Sequence, residues 1–509
     1  MRFKKLTAAF LSSLALTTPA TAFDTGHHWD ATYMGMAQAY GGFSETAKKM
    51  AATSNWLVDY FTESPISGGA HIASKHRLAN LHFDNLFTEE QVRQTWNNLI
   101  KNYIAGLKAI ANSHEPEITR LYQAYALMGM TLHATQDFYT HSNWATFHPQ
   151  TGHGFSSKTV LHGDLTSTIA QSGTLQTGYY PTYYASSKPS GAMAHGDYTS
   201  GINKDSHMRP QWDEAFTFAY VESYRLTLLT ITTLNEANEK FKDAFLKFNE
   251  SSITSHSAMA GQLALLAGDA AAAYDVSQFI HADGADGHYK GKYSGNNANL
   301  VETTGAWTVA EYSALQGTVL GIIASDMLTK CLYDWSNSCK ADDLSGNELI
   351  GNKPDVKALS VRIDNVEHTH GSADPFGNDP DYFAQFDFPG LSQWDRILDN
   401  KKSYKASDHV VQGEKASAYW AMFFVDDDTK KTSFRIRLYD YDAESSNDVI
   451  DIAHGGDNVD LEFTYSGDKL TGDVPDGVYD TRDRAVHSEG GSGDDRAKIK
   501  FFVYDVDLN

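Results

Sequence analysis

Between residues 23 and 250 apolar positions recur mostly at spacings of three and four; beyond residue 355 they alternate with polar ones. The first spacing predicts helices with a covered face, and the second predicts strands in a half-buried sheet. The stretch EPEITRLYQAYALMGMTLHATQDFYTHS keeps the helical spacing through His133, with Pro116 suited to a first turn. DEAFTFAYVESYRLTLLTITTLNEANEKFKDAFLKF reads as a second long helix. Between them, residues 149–200 are rich in Gly, Ser, Thr and Tyr and predict an extended loop region of the kind that serves as a functional surface. Helical texture continues through SAMAGQLALLAGDAAAAYDVSQFI and fades near ADDLSGNELIGNKPDVKA. From Val356 the runs ALSVRIDNV, DYFAQFDF, AYWAMFFV, SFRIRLYDY, VDLEFTY and KIKFFVYDV stand between Asp, Gly, Asn and Ser turns. That texture predicts an antiparallel β-sandwich.

The expected organisation is therefore a leader over 1–22, a helical domain over 23–250, a further helical segment over 251–350 and a β domain over 355–509. Arg2, Lys4 and Lys5 precede the apolar run LTAAFLSSLAL, and Ala20-Thr21-Ala22 offers the small residues of a signal-peptidase site. Cleavage after Ala22 would leave Phe23 at the mature N-terminus. Later apolar runs fall short of the roughly 18 to 20 residues that cross a bilayer, so an exported, soluble product is expected. Cys331 and Cys339 are the two cysteines. In an exported chain they predict a local disulfide, with two buried thiols as the alternative. A formal net charge of −23 argues against a sequence-independent nucleic-acid binder, which needs cations to neutralise phosphates.

The chemistry concentrates in the helical part, which holds 13 of the 21 histidines before residue 210. They stand beside acidic residues in GHHWD, NLHFDN, HATQDFYTH and HGD, the last followed by INKDS; NWLVDY adds an aspartate. His114, His148 and His256 read as packed or solvated. His133, Asp137 and His141 differ, because positions i, i+4 and i+8 of a helix share one stripe. Such a stripe suits zinc, which takes histidine nitrogen and aspartate oxygen, and the carboxylate between two imidazoles is placed to bridge ions.

HATQDFYTHSNW, with NLHFDNLF upstream and the start FDTGHHWDAT, resembles the bacterial zinc-dependent phospholipases C. The nearest groups are the Pseudomonas fluorescens-type phosphatidylcholine phospholipases C and the fungal heterokaryon-incompatibility HET-C proteins. More distantly it is similar to the phospholipase C and P1 nuclease superfamily with three zinc ions. The resemblance spans roughly residues 23 to 215, and H-x3-D-x3-H followed by SNW is its most specific part. It implies an all-α domain holding three zinc ions in a cleft. By motif, Asp59, His82, His133 and Asp137 would hold one ion, with Asp59 also the candidate general base. The free amine of Phe23, His28 and the bridging Asp137 would hold another; His27 competes with His28, and the H-x3-T of HHWDAT favours His28. The last would rest on His141, His195 and Asp205, with His162 and His207 as alternatives for the final ligands.

Tyr179, Tyr180, Tyr183 and Tyr184 would either cage a choline ammonium by cation–π attraction or pack the loop. In the β domain, SADPFGNDPDYFAQF and LYDYDAESSNDVIDI resemble the calcium loops of C2 domains. Asp374, Asp379 and Asp381 fall in the first, and Asp440, Asp442 and Asp448 in the second, where clustered carboxylates need a cation among them. Ordinary acidic β-turns are the competing reading. The fold expected is thus multidomain: an all-α zinc phospholipase C-like domain followed by an all-β C2-like antiparallel sandwich. The function expected is zinc-dependent hydrolysis of phosphatidylcholine-type phospholipids at a membrane surface engaged through calcium. The alternatives are a P1-type single-strand nuclease or nucleotidase, and a non-enzymatic calcium-dependent membrane-binding or adhesion protein.

Overall fold

A computed structural model describes residues 25–40, 42–63, 80–147, 175–181, 187–196, 200–205, 209–248, 309–332 and 339, together with the strands beyond residue 355 and residues 451–453 and 490 beside them. Eight helices lie among them: α1 (Thr25–Ala39), α2 (Glu45–Glu63), α3 (Glu89–Asn112), α4 (Glu117–His141), α5 (Trp144–Phe147), α6 (Trp212–Ala237), α7 (Glu239–Leu246) and α8 (Val309–Ala324). A 3₁₀ turn, Asn80–His82, precedes α3. None of these helices is long and apolar enough to cross a membrane.

The predicted helix beginning near Pro116 is α4, and it is the axis of the helical part. Almost every residue from Leu121 to His141 is buried, because α2, α3, α6 and α8 all pack around it. A helix enclosed on every side must satisfy its own polar groups. Thr131, Thr135 and Thr140 do so by donating to the carbonyls of Leu127, Leu132 and Asp137. At Gly129 the approach of α2 is so close that an added Cβ would lie 2.3 Å from the carbonyl oxygen of Ala51. The neighbouring α3 starts with a capping box: Gln91 N–H donates to Thr88 Oγ1, and the Gln91 side chain accepts from Thr88 N–H. Glu89 and Glu90 add negative charge at the positive end of the helix.

The second long helix is broken where the apolar spacing predicts continuity. Asn238 takes extended backbone (φ −165°), ends α6 and caps α7, its Oδ1 accepting from Phe241 N–H while its Nδ2 donates to the Ala111 carbonyl. Asparagine competes with the helix through its own short side chain, and here that competition wins. Within the segment expected to be additionally helical, α8 packs against α2 and α4. The chain after it is gripped by α3: Thr95 donates to the Leu332 carbonyl, and Asn98 to those of Cys331 and Cys339. Cys331 and Cys339 are joined in a disulfide. SAMAGQLALLAGDAAAAYDVSQFI and the leader lie outside the described residues.

α6 buries one acid deeply. Glu222 Oε2 accepts the Tyr139 hydroxyl proton at 2.8 Å, and burial raises its carboxyl from 4.5 to about 7 despite Arg225. A carboxyl raised on folding holds its proton more tightly when folded, so its stabilising share is whole below 4.5 and is lost as pH rises through about 7. Glu222→Gln is therefore expected to remove about 3 kcal/mol of pH-dependent stability across that window. Thermal unfolding of both proteins from pH 4 to 8 would reveal it, and parallel curves would refute it.

Beyond residue 355 the described strands form two antiparallel sheets. One has the order β10 (Val486–Glu489), β11 (Arg496–Asp507), β1 (Val356–His370), β4 (Trp420–Asp426). The other runs β3 (Tyr404–Lys405), β2 (Asp381–Asp387), β5 (Thr432–Asp440), β7 (Leu461–Ser466), β8 (Lys469–Gly472), β9 (Tyr479–Asp480), with β6 (Asp448–Ile450) also paired to β5. The predicted alternation is visible in burial. Phe434, Ile436 and Leu438 of β5 and Ala497, Ile499 and Phe501 of β11 are covered, while the residues between them are not.

Candidate metal centre

Three helices and two loops deliver nine acidic and histidine side chains to one buried region: His28, Asp59, His82, Asp84, His133, Asp137, His141, His195 and Asp205. None is more than 4% exposed. On α4 the i, i+4, i+8 stripe carries His133, Asp137 and His141; on α2 the i, i+4 pair is Asn55 and Asp59, and on α1 it is Thr32 and His28. His82 ends the 3₁₀ turn, and left-handed backbone at Phe83 (φ 49°) and Asn85 (φ 63°) bends the chain there so that Asp84 joins it. Such conformations for residues other than glycine cluster at functional sites, where the surroundings hold them.

The first half centres on Asp137. Its Oδ1 lies 3.2 Å from His28 Nε2, and its Oδ2 lies 2.8 Å from His82 Nδ1 and 3.0 Å from His133 Nε2. Asp59 faces the same nitrogens at 3.7 to 4.0 Å. His133 Nε2 and His82 Nδ1 stand 3.1 Å apart, a distance at which two lone pairs repel unless a proton or cation lies between them. In the second half, His141 Nε2 is 3.2 Å from Asp205 Oδ1, and His195 Nε2 is 3.9 Å from Asp205 Oδ2. Asp84 Oδ1 stands 3.5 Å from His141 Nδ1 and 3.9 Å from His195 Nε2.

Four histidines share one arrangement. The Nδ1–H of His28 donates to Gln136 Oε1 at 2.6 Å, that of His133 to Asn55 Oδ1 at 3.0 Å, that of His141 to the His82 carbonyl at 2.6 Å, and that of His195 to the Gly196 carbonyl at 3.1 Å. Each proton placed on Nδ1 leaves Nε2 as a lone pair turned to the carboxylates, the outer-shell pattern of metal-binding histidine. Gln136 is itself held by donating to Thr32 and Ser223, and Asn55 by donating to Thr32 and Gln136. Asp137 Oδ1, His141 Nε2 and Asp205 Oδ1 make no hydrogen bond although buried. Three groups, His28–His133–Asp137, Asp59–His82–His133 and Asp84–His141–His195, each bring their donor atoms within 4.8 Å of one another. These buried groups are able to hold metal ions.

Electrostatics differ between the two halves. Burial pushes His133 down to about 3 despite Asp137 beside it, so it is neutral at neutral pH. Burial would raise Asp137, but His133, His141 and His28 hold it well below the usual carboxylate range. Burial would lower His141, yet Asp84, Asp137 and Asp205 hold it well above the usual histidine value. The two imidazoles of one helix diverge because three carboxylates outweigh burial at His141, whereas at His133 burial and the neighbouring His28 and His82 outweigh Asp137. Burial lifts Asp84 to about 6 against the pull of His195 and His141.

The residues expected from the sequence fall into place unevenly. His28, Asp59, His82, His133 and Asp137 come together, and so do His141, His195 and Asp205. Phe23, His162 and His207 lie outside the described residues, and so does the His27 side chain. Asp84, Asn55 and Gln136 were not anticipated. Each carried a local signal: Asp84 is two residues past His82, Asn55 four before Asp59, and Gln136 three past His133. Tyr180 packs its ring 5.2 Å from His195, whereas Tyr179 packs on Phe87; Tyr183 and Tyr184 lie outside the described residues. Of the acidic residues expected to bind calcium, Asp374, Asp379 and Asp442 lie outside them too. Register pairs Asp440 with Asp448 and with Tyr382, next to Asp381, so these three backbone positions share one end of β2, β5 and β6.

No protein-family model matches the chain, and no curated protein matches it. Among solved structures, human GIVD cytosolic phospholipase A2 in complex with methyl gamma-linolenyl fluorophosphonate aligns at 12% identity with a TM-score of 0.17. The match covers 29% of this chain and 17% of that one, and so small a likeness carries no argument.

Gln136 offers a test of the outer shell. Gln136→Leu removes the acceptor for His28 Nδ1–H and is expected to weaken metal binding about 10- to 100-fold. Titration of the metal-free protein with zinc measures this; unchanged affinity would mean that His28 needs no such partner.

Proposed function

We propose that the chain is an exported zinc-dependent phosphodiesterase of the phospholipase C type. It cleaves phosphatidylcholine-type phospholipids to diacylglycerol and a phosphorylated head group. The observation that carries this reading is the set of four buried histidines with Nδ1 anchored and Nε2 turned toward shared aspartates. Imidazole nitrogen with carboxylate oxygen is a donor set that zinc takes. Asp59, His82, His133 and Asp137 would hold one ion, His28 and Asp137 with the Phe23 amine a second, and His141, His195 and Asp205 a third.

Zinc bound there supplies positive charge for the phosphate oxygens and a water that ionises near neutral pH. Asp59 would take up the proton of that water at Oδ2, the oxygen 4.0 Å from His28 Nε2, while Oδ1 stays against His82 and His133. Tyr180, seated against His195, would border the cleft. In the β domain, backbone register places Asp440 opposite Asp448. A C2-like sandwich with calcium at that end would hold the enzyme on a phospholipid surface.

The test is release of phosphocholine from phosphatidylcholine vesicles by the protein starting at Phe23, with zinc counted and calcium supplied or chelated. The expected result is zinc-dependent release that calcium strengthens on vesicles. Nucleotides released from single-stranded nucleic acid, with no phosphocholine, would replace this reading with the nuclease. Hydrolysis of neither would leave a binding protein.

A further inference from the structure

We propose that Asp84 is a fourth protein ligand beside His141, His195 and Asp205, making this half of the centre a closed metal site that ties the chain together rather than binding substrate. The inference rests on the metal-binding part of the preceding reading and not on the identity of the substrate.

Three separate stretches of chain meet at this site, and backbone hydrogen bonds knit them before any ion is considered. Asn85 N–H donates to the Gly178 carbonyl at 2.8 Å, and Thr177 N–H to that of Leu86 at 2.7 Å. Gly178 N–H donates to the His141 carbonyl, and Asn143 N–H to that of Gln176. His195 N–H reaches the Tyr179 carbonyl, and Asn203 N–H that of His195. Gly178 lets these strands pass: a Cβ there would lie 2.6 Å from His195 Cα. The buried ammonium of Lys204 completes the clasp by donating to the carbonyls of Ser142 and Ile202 at 2.9 Å. Each segment thus delivers a ligand with its main chain already fixed: Asp84 from the first, His141 from the second, His195 and Asp205 from the third.

Coordination and charge give the same answer. Two imidazoles and two carboxylates fill a tetrahedral zinc shell, and a shell filled by protein is the structural type, whereas hydrolytic ions keep a position open. The His141 and His195 rings meet edge-on, with centroids 4.4 Å apart, and both offer Nε2 because both Nδ1 protons are spent on carbonyls. Asp84 and Asp205 cancel the charge of one divalent ion. Asp59 and Asp137, serving two ions, leave two positive charges uncancelled. An anionic phosphate is therefore drawn to the His28, His82 and His133 half, while the Asp84 half offers it no net attraction.

The experiment counts zinc per chain in the protein starting at Phe23 and follows its release to an excess of chelator, for the unaltered chain, Asp84→Asn, Asp205→Asn and Asp84→His. The unaltered protein is expected to release one ion at least tenfold more slowly than the rest. Asp84→Asn and Asp205→Asn should each lose that slow ion and one zinc from the count, with far-ultraviolet circular dichroism unchanged. Asp84→His, which offers nitrogen in place of oxygen, should restore the count. An Asp84→Asn protein that keeps the full count and the slow ion would overturn the inference and leave Asp84 as a residue that orients His141. So would release of all ions at one rate by the unaltered protein, a result that needs no variant to fold. An unaltered protein that binds no zinc would instead sink the functional reading itself.

Discussion

Asp137→Ala is expected to lower phosphocholine release by about 10³-fold or more and to reduce the zinc bound per chain. Asp137 is the carboxylate that His28, His82 and His133 all face within 3.2 Å, so its loss unmakes two ion positions together. Metal-borne charge stabilisation is worth several kcal/mol, and about 4 kcal/mol corresponds to 10³ in rate. Alanine also leaves three buried imidazoles with Asp59 alone, at 3.7 to 4.0 Å, to face them all. Asp137→Asn, nearly isosteric, separates charge from shape, and it should bind less zinc while unfolding at a similar temperature. Unchanged turnover by a folded Asp137→Ala protein, with metal stripped, would end the hydrolase reading.

Gly129→Ala is expected to lower stability through helix packing outside the centre. The added methyl would sit 2.3 Å from the Ala51 carbonyl oxygen and 2.6 Å from Ser54 Cβ, so α2 has to move away from α4. Overpacking against a backbone carbonyl costs about 3 kcal/mol, against roughly 1 kcal/mol gained because alanine is the better helix former. A net loss of about 2 kcal/mol corresponds to a drop of roughly 4 to 8 °C in unfolding midpoint for a domain of this size. The displacement reaches the chemistry, because Asn55 and Asp59 ride on α2 beside His133. Zinc affinity should therefore fall together with the midpoint. An unaltered midpoint would mean that the helices tolerate a wider separation.

The His133–Asp137–His141 stripe was legible because a helix repeats its face every three to four residues, and that is a property of the chain alone. The alternation from Val356 onward was legible for the same kind of reason, and the six runs it marks coincide with β1, β2, β4, β5, β7 and β11. Asn238 was not, because apolar spacing continues through it while the decision is made by its side chain and the Ala111 carbonyl, 127 residues away. Asp84 escaped notice because its position depends on left-handed backbone at Phe83 and Asn85, which no periodicity announces. Asn55 and Gln136 lie on helices whose faces could be read, but their task depends on which helix crosses which. His195 and Asp205 could be ranked only by resemblance, since nothing local in HGDYTSGINKDS indicates that the chain turns back on itself there.

The hydrogen bond from His28 to Gln136 joins residues 108 apart in the chain, and Asp205 lies further on still. Contacts of such long range form late, since the intervening chain must close a large loop before they stabilise anything. A growing chain that has not yet reached Asp205 cannot own this centre. Topology therefore favours an order in which helices α1, α2 and α4 assemble before the segment ending at Asp205 docks, so that a metal ion would find its full set of ligands last. The centre's metal content should reflect the ions present where folding ends rather than where translation begins.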